Sequence, residues 1–301
     1  MNSEPLVSVL MTAYNREKFI ASAIESVLAS NYKNFELIIV DDGSTDRTIE
    51  IAKAFGNSDP RIRVYLNEKN LGDYFNRNKA ASYAKGKYIK YLDSDDLIYP
   101  HGLGVMVLAM EKFPDAAVGI STGSTQDRDP FPYQLAPREA YLKNFFEQGI
   151  FNTGPSGLIF RRDHFDAIGG FSGIRYIGDA EINLRLAASA PVVVMGPALI
   201  YWRIHEGQEF TAGLTGTGYL ELSLPMLRRE LAKPECPLTK TEVEDVLTHY
   251  RKVYSRRLIN LALKQKQPGK ALELKKTLSL GAKDLLRSVL FMNRALKQRN
   301  G

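Results

Sequence analysis

The sequence predicts an α/β protein, with a mostly parallel central sheet covered by helices on both faces and a helical extension at the C-terminus. Three observations predict it. Short apolar, β-prone segments alternate with helical ones through the first third of the chain, and a βαβαβαβ succession is the pattern of a parallel sheet buried on both sides. A chain of 301 residues, 44% hydrophobic and 25% charged, can build a full core and still carry an appendage. Clusters of Asp, Asn, Gly and Ser follow the predicted strands, at the sheet edge where folds of this kind gather ligands.

The elements follow in order. VSVLMTA, Val7 to Ala13, reads as the first strand, and a helix from about Arg16 places Phe19, Ile20, Ala23, Ile24, Val27 and Leu28 on one face. ELIIV, Glu36 to Val40, is the second strand; the DDGSTD that ends it makes a turn and caps a helix running to about Phe55. A third strand, Arg61 to Leu66, leads through NEKNLGD to a helix ending near Gly86, and Tyr88 to Leu92 is the fourth strand. Between Gly123 and Phe151 the pattern fades into a stretch rich in Pro and aromatics. Beyond about Gly213 the chain reads helical: Val243 to Gln265 is one long helix, which Pro268-Gly269 breaks. Leu278, Ala282, Leu285, Val289, Met292 and Leu296 then form an apolar seam, flanked by Lys283, Arg287, Arg294 and Lys297. The expected domains are therefore residues 1–212 and 213–301.

Charge is divided between them. Residues 251–301 hold fourteen Lys/Arg against two acids, a net +12, so the first 250 residues carry −6 of the total +6. A basic tail on an acidic body suits an anionic partner, or simply a solvated face. The seam suits an anionic membrane interface, a partner helix or the body of the protein itself. A single cysteine, Cys236, fits a reducing compartment. Met1 to Pro5 lacks the basic segment of a secretion signal, and the run Pro191 to Trp202 is too short to cross a bilayer. The expected location is the cytoplasm, or the inner face of the cell membrane.

Three polar clusters end predicted strands: Thr12 to Asn15, Asp41 to Asp46, and Asp93 to Asp96. Any one alone fits a turn. In the last, Asp93 and Asp95 are two apart, and in extended chain they project to the same side. Carboxylates so placed repel unless a divalent cation joins them; Mg²⁺ or Mn²⁺ takes a few carboxylate oxygens and fills its shell with water and phosphate. Asp96 is expected to point away and cap a helix beginning near Pro100. A diphosphate-bearing substrate suits such a site, since a bound cation stabilises charge on a departing diphosphate.

SVLMTAYNREKFIASAIESVLAS, FELIIVDDGSTDRT, NLGDYFNRNKAASYAKGKYIKYLDSDD, GPSGLIFRRDHFDAIGGF and GDAEINLRLA, in that order, resemble the family-2 inverting glycosyltransferases of GT-A fold over roughly residues 5–205. By position, the resemblance implies that Thr12, Ala13, Tyr14 and Asn15 line the nucleobase pocket and that Asp42 reads the uracil edge. It implies a DXD motif at Asp93, Ser94 and Asp95, with Asp93 and Asp95 on the metal, and a donor-side segment at Asn70, Gly72, Arg77 and Asn78 whose separate roles stay open. Asp179 matches the catalytic base, with Glu181 as the alternative. This chain departs from the family's usual Glu-Asp there, having Gly178-Asp179. YWRIHEGQEF resembles the Tyr-Arg-x-His element, making His205 a candidate for the metal or the diphosphate and Trp202 and Arg203 candidates for the sugar or acceptor pocket.

The implied activity is transfer of a sugar from a UDP-sugar donor to a glycan or lipid-linked oligosaccharide acceptor, with Mn²⁺ or Mg²⁺ and no nucleic-acid partner. Two other classes remain: a catalytically silent nucleotide-sugar-binding scaffold, and an aspartate-nucleophile phosphotransferase using Asp41 or Asp42. A dinucleotide-binding oxidoreductase is disfavoured, because no Gly-x-Gly-x-x-Gly follows the first strand.

Overall fold

The structure, a computed structural model, describes residues 4–123, 127, 129–208 and 217–288. Strands β1 (Val7–Ala13), β2 (Phe35–Asp41), β3 (Ile62–Leu66) and β4 (Tyr88–Tyr91) pair in parallel, in the spatial order β3-β2-β1-β4. Their apolar runs are uninterrupted because both faces are covered: Val9, Leu10 and Met11 of β1 and Leu37 to Val40 of β2 are all buried. The crossovers are α1 (Ile20–Leu28), α2 (Thr48–Ser58) and α3 (Asp73–Ala81). Helix α1 buries Ile20, Ala23, Ile24 and Val27, the spacing of a single helical face. It starts later than its apolar pattern begins, since Arg16 to Phe19 form a turn in which the Arg16 carbonyl accepts from the Phe19 and Ile20 amides.

After β4 the sheet changes character. The chain continues through β5 (Leu97–Ile98), α4 (Gly102–Lys112), β6 (Val118–Ser121), β7 (Tyr133–Leu135), α5 (Pro137–Leu142), β8 (Leu158–Arg161), α6 (Arg162–Ala167), α7 (Gly178–Ser189), β9 (Val192–Met195) and β10 (Ile200–Tyr201). Among the described residues, eight strands form one sheet in the order β3-β2-β1-β4-β8-β6-β9-β7, with β8 antiparallel to both β4 and β6. Strands β5 and β10 form a separate antiparallel ribbon. The ribbon folds residues 203–205 back over the turn that follows β4, as the site contacts below require.

Residues 1–206 and 207–301 form two compact units. The second comprises α8 (Gly218–Leu231), α9 (Lys240–Leu263), α10 (Pro268–Thr277) and a helical turn at 282–288. Thr239 and Glu242 form a capping box that starts α9. Pro268 occupies the first turn of α10, where its missing N–H costs nothing, so the Pro-Gly pair that ends one helix begins the next. Leu224, Tyr254, Leu258, Leu261, Ala271, Leu274, Leu278 and Leu280 make the core of this unit. Val289, Met292, Arg294, Leu296 and Lys297 lie outside the described residues. No helix among the described residues is long and apolar enough to cross a membrane.

At Gly102 a Cβ would overlap the backbone carbonyl of Leu199, which neither segment can easily relieve. Gly102→Ala is expected to destabilise the fold by about 1–3 kcal/mol, read as a lower urea midpoint at unchanged slope.

Candidate active site

Beyond β4 the chain turns at once. The Asp96 N–H donates to the Asp93 carbonyl at 2.9 Å, closing a tight turn with Ser94 and Asp95 at its corner. The carboxylates of Asp93, Asp95 and Asp96 consequently converge, with an oxygen of each within 4.8 Å of the others. Asp96 does not point away as extended chain predicts. It is 1% exposed and accepts from the Arg203 N–H at 3.0 Å, while α4 starts at Gly102 with no side-chain cap. Burial, reinforced by the charge of Asp93, pushes the Asp96 carboxyl up to about 7. Its Oδ2 is buried without a hydrogen-bond partner.

Cationic and amide donors surround this turn. Arg16 Nε lies 3.0 Å from Asp95 Oδ2, and Arg77 Nη2 lies 2.8 Å from Asp93 Oδ1. Arg203 donates through Nε to the Asp95 carbonyl at 2.8 Å, so its role is to clamp the turn. Below the turn, Lys90 is fully buried and donates to the carbonyls of Tyr91 and Ser156. Burial draws its ammonium down to about 7, against the opposing pull of Asp93 and Asp96. The Ser156 hydroxyl accepts from the Asp93 N–H at 3.0 Å, tying the turn to the segment before β8.

The donor set fits a divalent ion. His205 Nδ1 lies 2.6 Å from the Glu206 carbonyl and Nε2 lies 3.0 Å from Asp95 Oδ2. When Nδ1–H donates to that carbonyl in the neutral ring, the Nε2 lone pair faces a carboxylate oxygen, an arrangement a shared cation relieves. Adjacent ligands of an octahedral ion at ~2.1 Å are themselves roughly 3 Å apart, which matches this pair. Three acids and an imidazole are the ligands that Mn²⁺ accepts.

The other two clusters close around the same edge. Asn15, in the left-handed region at φ 54°, accepts from the Thr45 N–H at 2.9 Å and donates its own N–H to Ser44 Oγ. Thr12 pairs with Val40 in the sheet, and the Ala13 carbonyl accepts from the Asp42 N–H at 2.8 Å. Tyr14 is 47% exposed, its ring available to a flat partner, whereas Ser94 is buried. Asp41 gathers the Gly43 and Ser44 amides, leaving Asp42 to the next loop. Asp42 accepts from Asn67 Nδ2 at 2.8 Å and from the Leu71 and Gly72 amides at 2.9 Å, so part of its acceptor capacity remains.

The roles within Asn70 to Asn78 now separate. Asn70 Oδ1 accepts from the Gly72 N–H, and Gly72 adopts φ 84°, which favours glycine. Arg77 bridges Asp73 and Asp93. Asn78 is spent on the loop before α7, donating to the Phe171 carbonyl at 2.7 Å and accepting from its N–H at 2.9 Å.

Asp179 sits in the first turn of α7, half-buried, its Oδ1 accepting from the Ala180 N–H at 2.8 Å. Burial pushes its carboxyl up to about 7, with the Ala180 amide and Arg77 opposing. Glu181 is 2% exposed and 3.6 Å from Arg185. Glycine at 178 has a physical reason, since a Cβ there would lie 2.7 Å from Cζ of Tyr74. Sequence reasoning missed Arg16, Tyr74, Lys90 and Ser156 and misdirected Asp96. Of these, Lys90 alone had a signal: a charge inside a strand that is apolar on both faces.

A family model described as glycosyl transferase family 2 matches residues 8–169. GlyG, a glycosyltransferase of Streptococcus pneumoniae serotype 4, is 26% identical over 216 residues, covering 67% of this chain and 72% of GlyG. EpsE of Bacillus subtilis is 44% identical over 113 residues, covering 37% of this chain and 41% of EpsE, so the chain spans less than half the length of that relative. Among solved structures, Staphylococcus aureus TarS 1-349 in complex with UDP-GlcNAc aligns over 90% of this chain and 81% of its own, with TM-score 0.68 at 21% identity. At that identity the likeness is one of fold.

Arg77→Met leaves Asp73 and Asp93 facing each other uncompensated. It is expected to cost about 2 kcal/mol in chemical denaturation, and the loss should shrink in an Asp93→Asn background.

Proposed function

Because the chain belongs to glycosyl transferase family 2 and is a glycosyltransferase of GT-A fold, we propose that it transfers a sugar, with inversion, from a UDP-sugar to a hydroxyl of a glycan or lipid-linked oligosaccharide. One observation carries this reading: the carboxylates of Asp93, Asp95 and Asp96 converge, with His205 beside Asp95, at the sheet edge that also bears Tyr14 and Asp42. Two solved neighbours support the donor class. The TarS structure holds UDP-GlcNAc, and the mannosyltransferase PcManGT of Pyrobaculum calidifontis, TM-score 0.63 at 15% identity over 96% of this chain and 87% of its own, holds GDP-Man and Mn²⁺.

In this proposal Tyr14 stacks on the uracil and the spare acceptor position of Asp42 takes its N–H. Asp93, Asp95 and His205 hold Mn²⁺ or Mg²⁺. When bound, the ion supplies positive charge to the diphosphate oxygens. Arg16, half-exposed at the same turn, offers a guanidinium suited to phosphate. Asp179 accepts the proton of the acceptor hydroxyl as that oxygen bonds to the anomeric carbon. The bond to the diphosphate breaks on the opposite face, its electron pair leaving with the phosphate oxygen and the proton remaining on the carboxylate. A base whose proton affinity matches neutral pH suits that task.

For the second unit we propose the anionic inner face of the cell membrane as the partner. The seam's outer half lies beyond the described residues, but the described helices supply support of their own. Leu263, Leu272 and Leu286 are all more than half exposed, and exposed Lys264, Lys276, Lys283 and Arg287 lie within four positions of one or another of them. Apolar side chains flanked by cations suit an anionic interface.

The sign of the pH dependence follows from Asp179. Its carboxyl is protonated below about pH 7 and cannot accept, so kcat/KM is expected to fall tenfold per pH unit on the acid side and to level off above. Asp179→Asn should lose roughly 10²–10⁴ in turnover while binding UDP with Mn²⁺ as tightly as wild type. Full turnover in that variant ends the assignment of the base, and equal inactivity of both proteins with every nucleotide sugar favours the silent scaffold. In co-sedimentation, Leu286→Ser combined with Lys283→Glu and Arg287→Glu is expected to weaken binding to phosphatidylglycerol vesicles by at least about tenfold. Unchanged binding removes the membrane proposal.

A further inference from the structure

Helix α7 caps only one of its first amides with its own side chains, the Ala180 N–H on Asp179 Oδ1. Its cap position, Ile177, has no side-chain oxygen to satisfy the first amides of the helix. The missing acceptor comes from a distant helix: the Tyr74 hydroxyl of α3 accepts from the Asp179 N–H at 3.3 Å. Tyr74 is 6% exposed, and its ring packs against Phe171 with centroids 5.1 Å apart and near the Arg77 guanidinium. The ring can reach α7 only because position 178 is glycine. A Cβ there would lie 2.7 Å from Cζ and 2.8 Å from Cε1 and Cε2. On the other flank of the carboxylate, a Cβ at Gly154 would stand 3.9 Å from Asp179 Oδ2. Asp179 thus follows a glycine packed on a buried aromatic ring, with its backbone N–H on that ring's hydroxyl and its carboxylate beside the Gly154 backbone.

We propose that Tyr74 is the positioning residue of Asp179: its hydroxyl fixes the start of α7, and its ring, admitted by Gly178, keeps water from the carboxylate. This rests on the reading of Asp179 as the base. The ring's effect is separable from charge, because the ionisable groups around Asp179 are few. Helix α3 presents Arg77 and Asp73, which act in opposite directions on the carboxyl. On α7 itself Glu181 is paired with Arg185, and neither the turn at 155–157 nor β6 carries an ionisable group. Helix α5 offers Arg138 and Glu139, both exposed, and Tyr141, whose hydroxyl donates to the Leu184 carbonyl. Burial is the leading cause of the raised Asp179 carboxyl, and the Tyr74 ring against Gly178 is the neighbouring side chain a substitution can remove.

The experiment uses Tyr74→Ser, Tyr74→Phe and Gly178→Ala in the full chain, with two readouts. The first is the carboxyl ¹³C resonance of Asp179 titrated without substrate, identified by its loss in Asp179→Asn; the second is the pH profile of kcat/KM. Tyr74→Ser admits water, so both the titration and the acid limb should move down by about one pH unit, with turnover at high pH reduced about tenfold and the donor KM within about twofold of wild type. Tyr74→Phe keeps the ring and loses the acceptor, so turnover should fall about threefold with the limb unmoved. Gly178→Ala pushes the ring aside and should shift the limb in the direction of Tyr74→Ser, which keeps the test open if the serine variant does not fold. An Asp179 carboxyl that titrates in Tyr74→Ser, or in Gly178→Ala where that variant must serve, as it does in wild type overturns the proposal. A carboxyl that shifts while the rate profile stays put leaves Tyr74 in its role and removes Asp179 as the base.

Discussion

The ion pair between Arg77 and Asp93 is the constraint on which the site depends. A guanidinium that is 7% exposed cannot sit in protein without carboxylates around it, and Arg77 has Asp73 one helical turn before it and Asp93 across the sheet edge. Burial alone works against that charge, yet the two acids hold it well above the usual guanidinium range. The pairing fixes the register of α3 against the turn after β4. Once that register is set, Tyr74 and Asn78 fall where they reach the start of α7 and the loop before it. One short helix therefore sets the spacing between the carboxylate turn and Asp179.

The turn itself is a problem of like charge solved from several directions. Three carboxylates converge, and each faces a different donor: Arg77 for Asp93, Arg16 for Asp95, the Arg203 amide for Asp96. Lys90 supports them from beneath while bonding to two carbonyls, so its ammonium is solvated by backbone rather than by water. Asp96, buried and raised toward neutrality, takes the smallest share of ionic charge. The donors come from α1's entry turn, α3, β4 and the segment that follows β10. A site assembled from so many segments cannot form before the sheet does.

That dispersal decides what the sequence could disclose. The four parallel strands were legible because burial on both faces leaves uninterrupted apolar runs, and the Asp, Asn and Gly clusters marked their ends. The pair Asp93 and Asp95 was legible through its spacing. Asp96 was misdirected because the reading assumed extended chain, whereas the turn closed by Asp96 N–H folds all three acids together. The separate duties of Gly72, Arg77 and Asn78 depend on Asp42, Asp93 and Phe171, partners from other segments of the chain that no local pattern encodes. The stretch from Gly123 to Phe151 hid the edge strand β7 and helix α5, each shorter than the window over which periodicity can be judged.

Packing between α3 and the loop before α7 is unusually close, and this has a mechanical consequence. A Cβ at Gly170 would lie 2.6 Å from Asn78 Oδ1, and one at Gly173 would lie 2.5 Å from the Phe75 ring. With Gly178 against Tyr74, successive glycines accept successive side chains of a single helix. Such an interface has little room to slide, because a packed surface tolerates discrete arrangements better than gradual shifts. A change that tilts α3 is therefore expected to carry Asp179 with it. The same helix that answers to the carboxylate turn through Arg77 thus governs where the Asp179 carboxylate stands, and the two halves of the site are mechanically one.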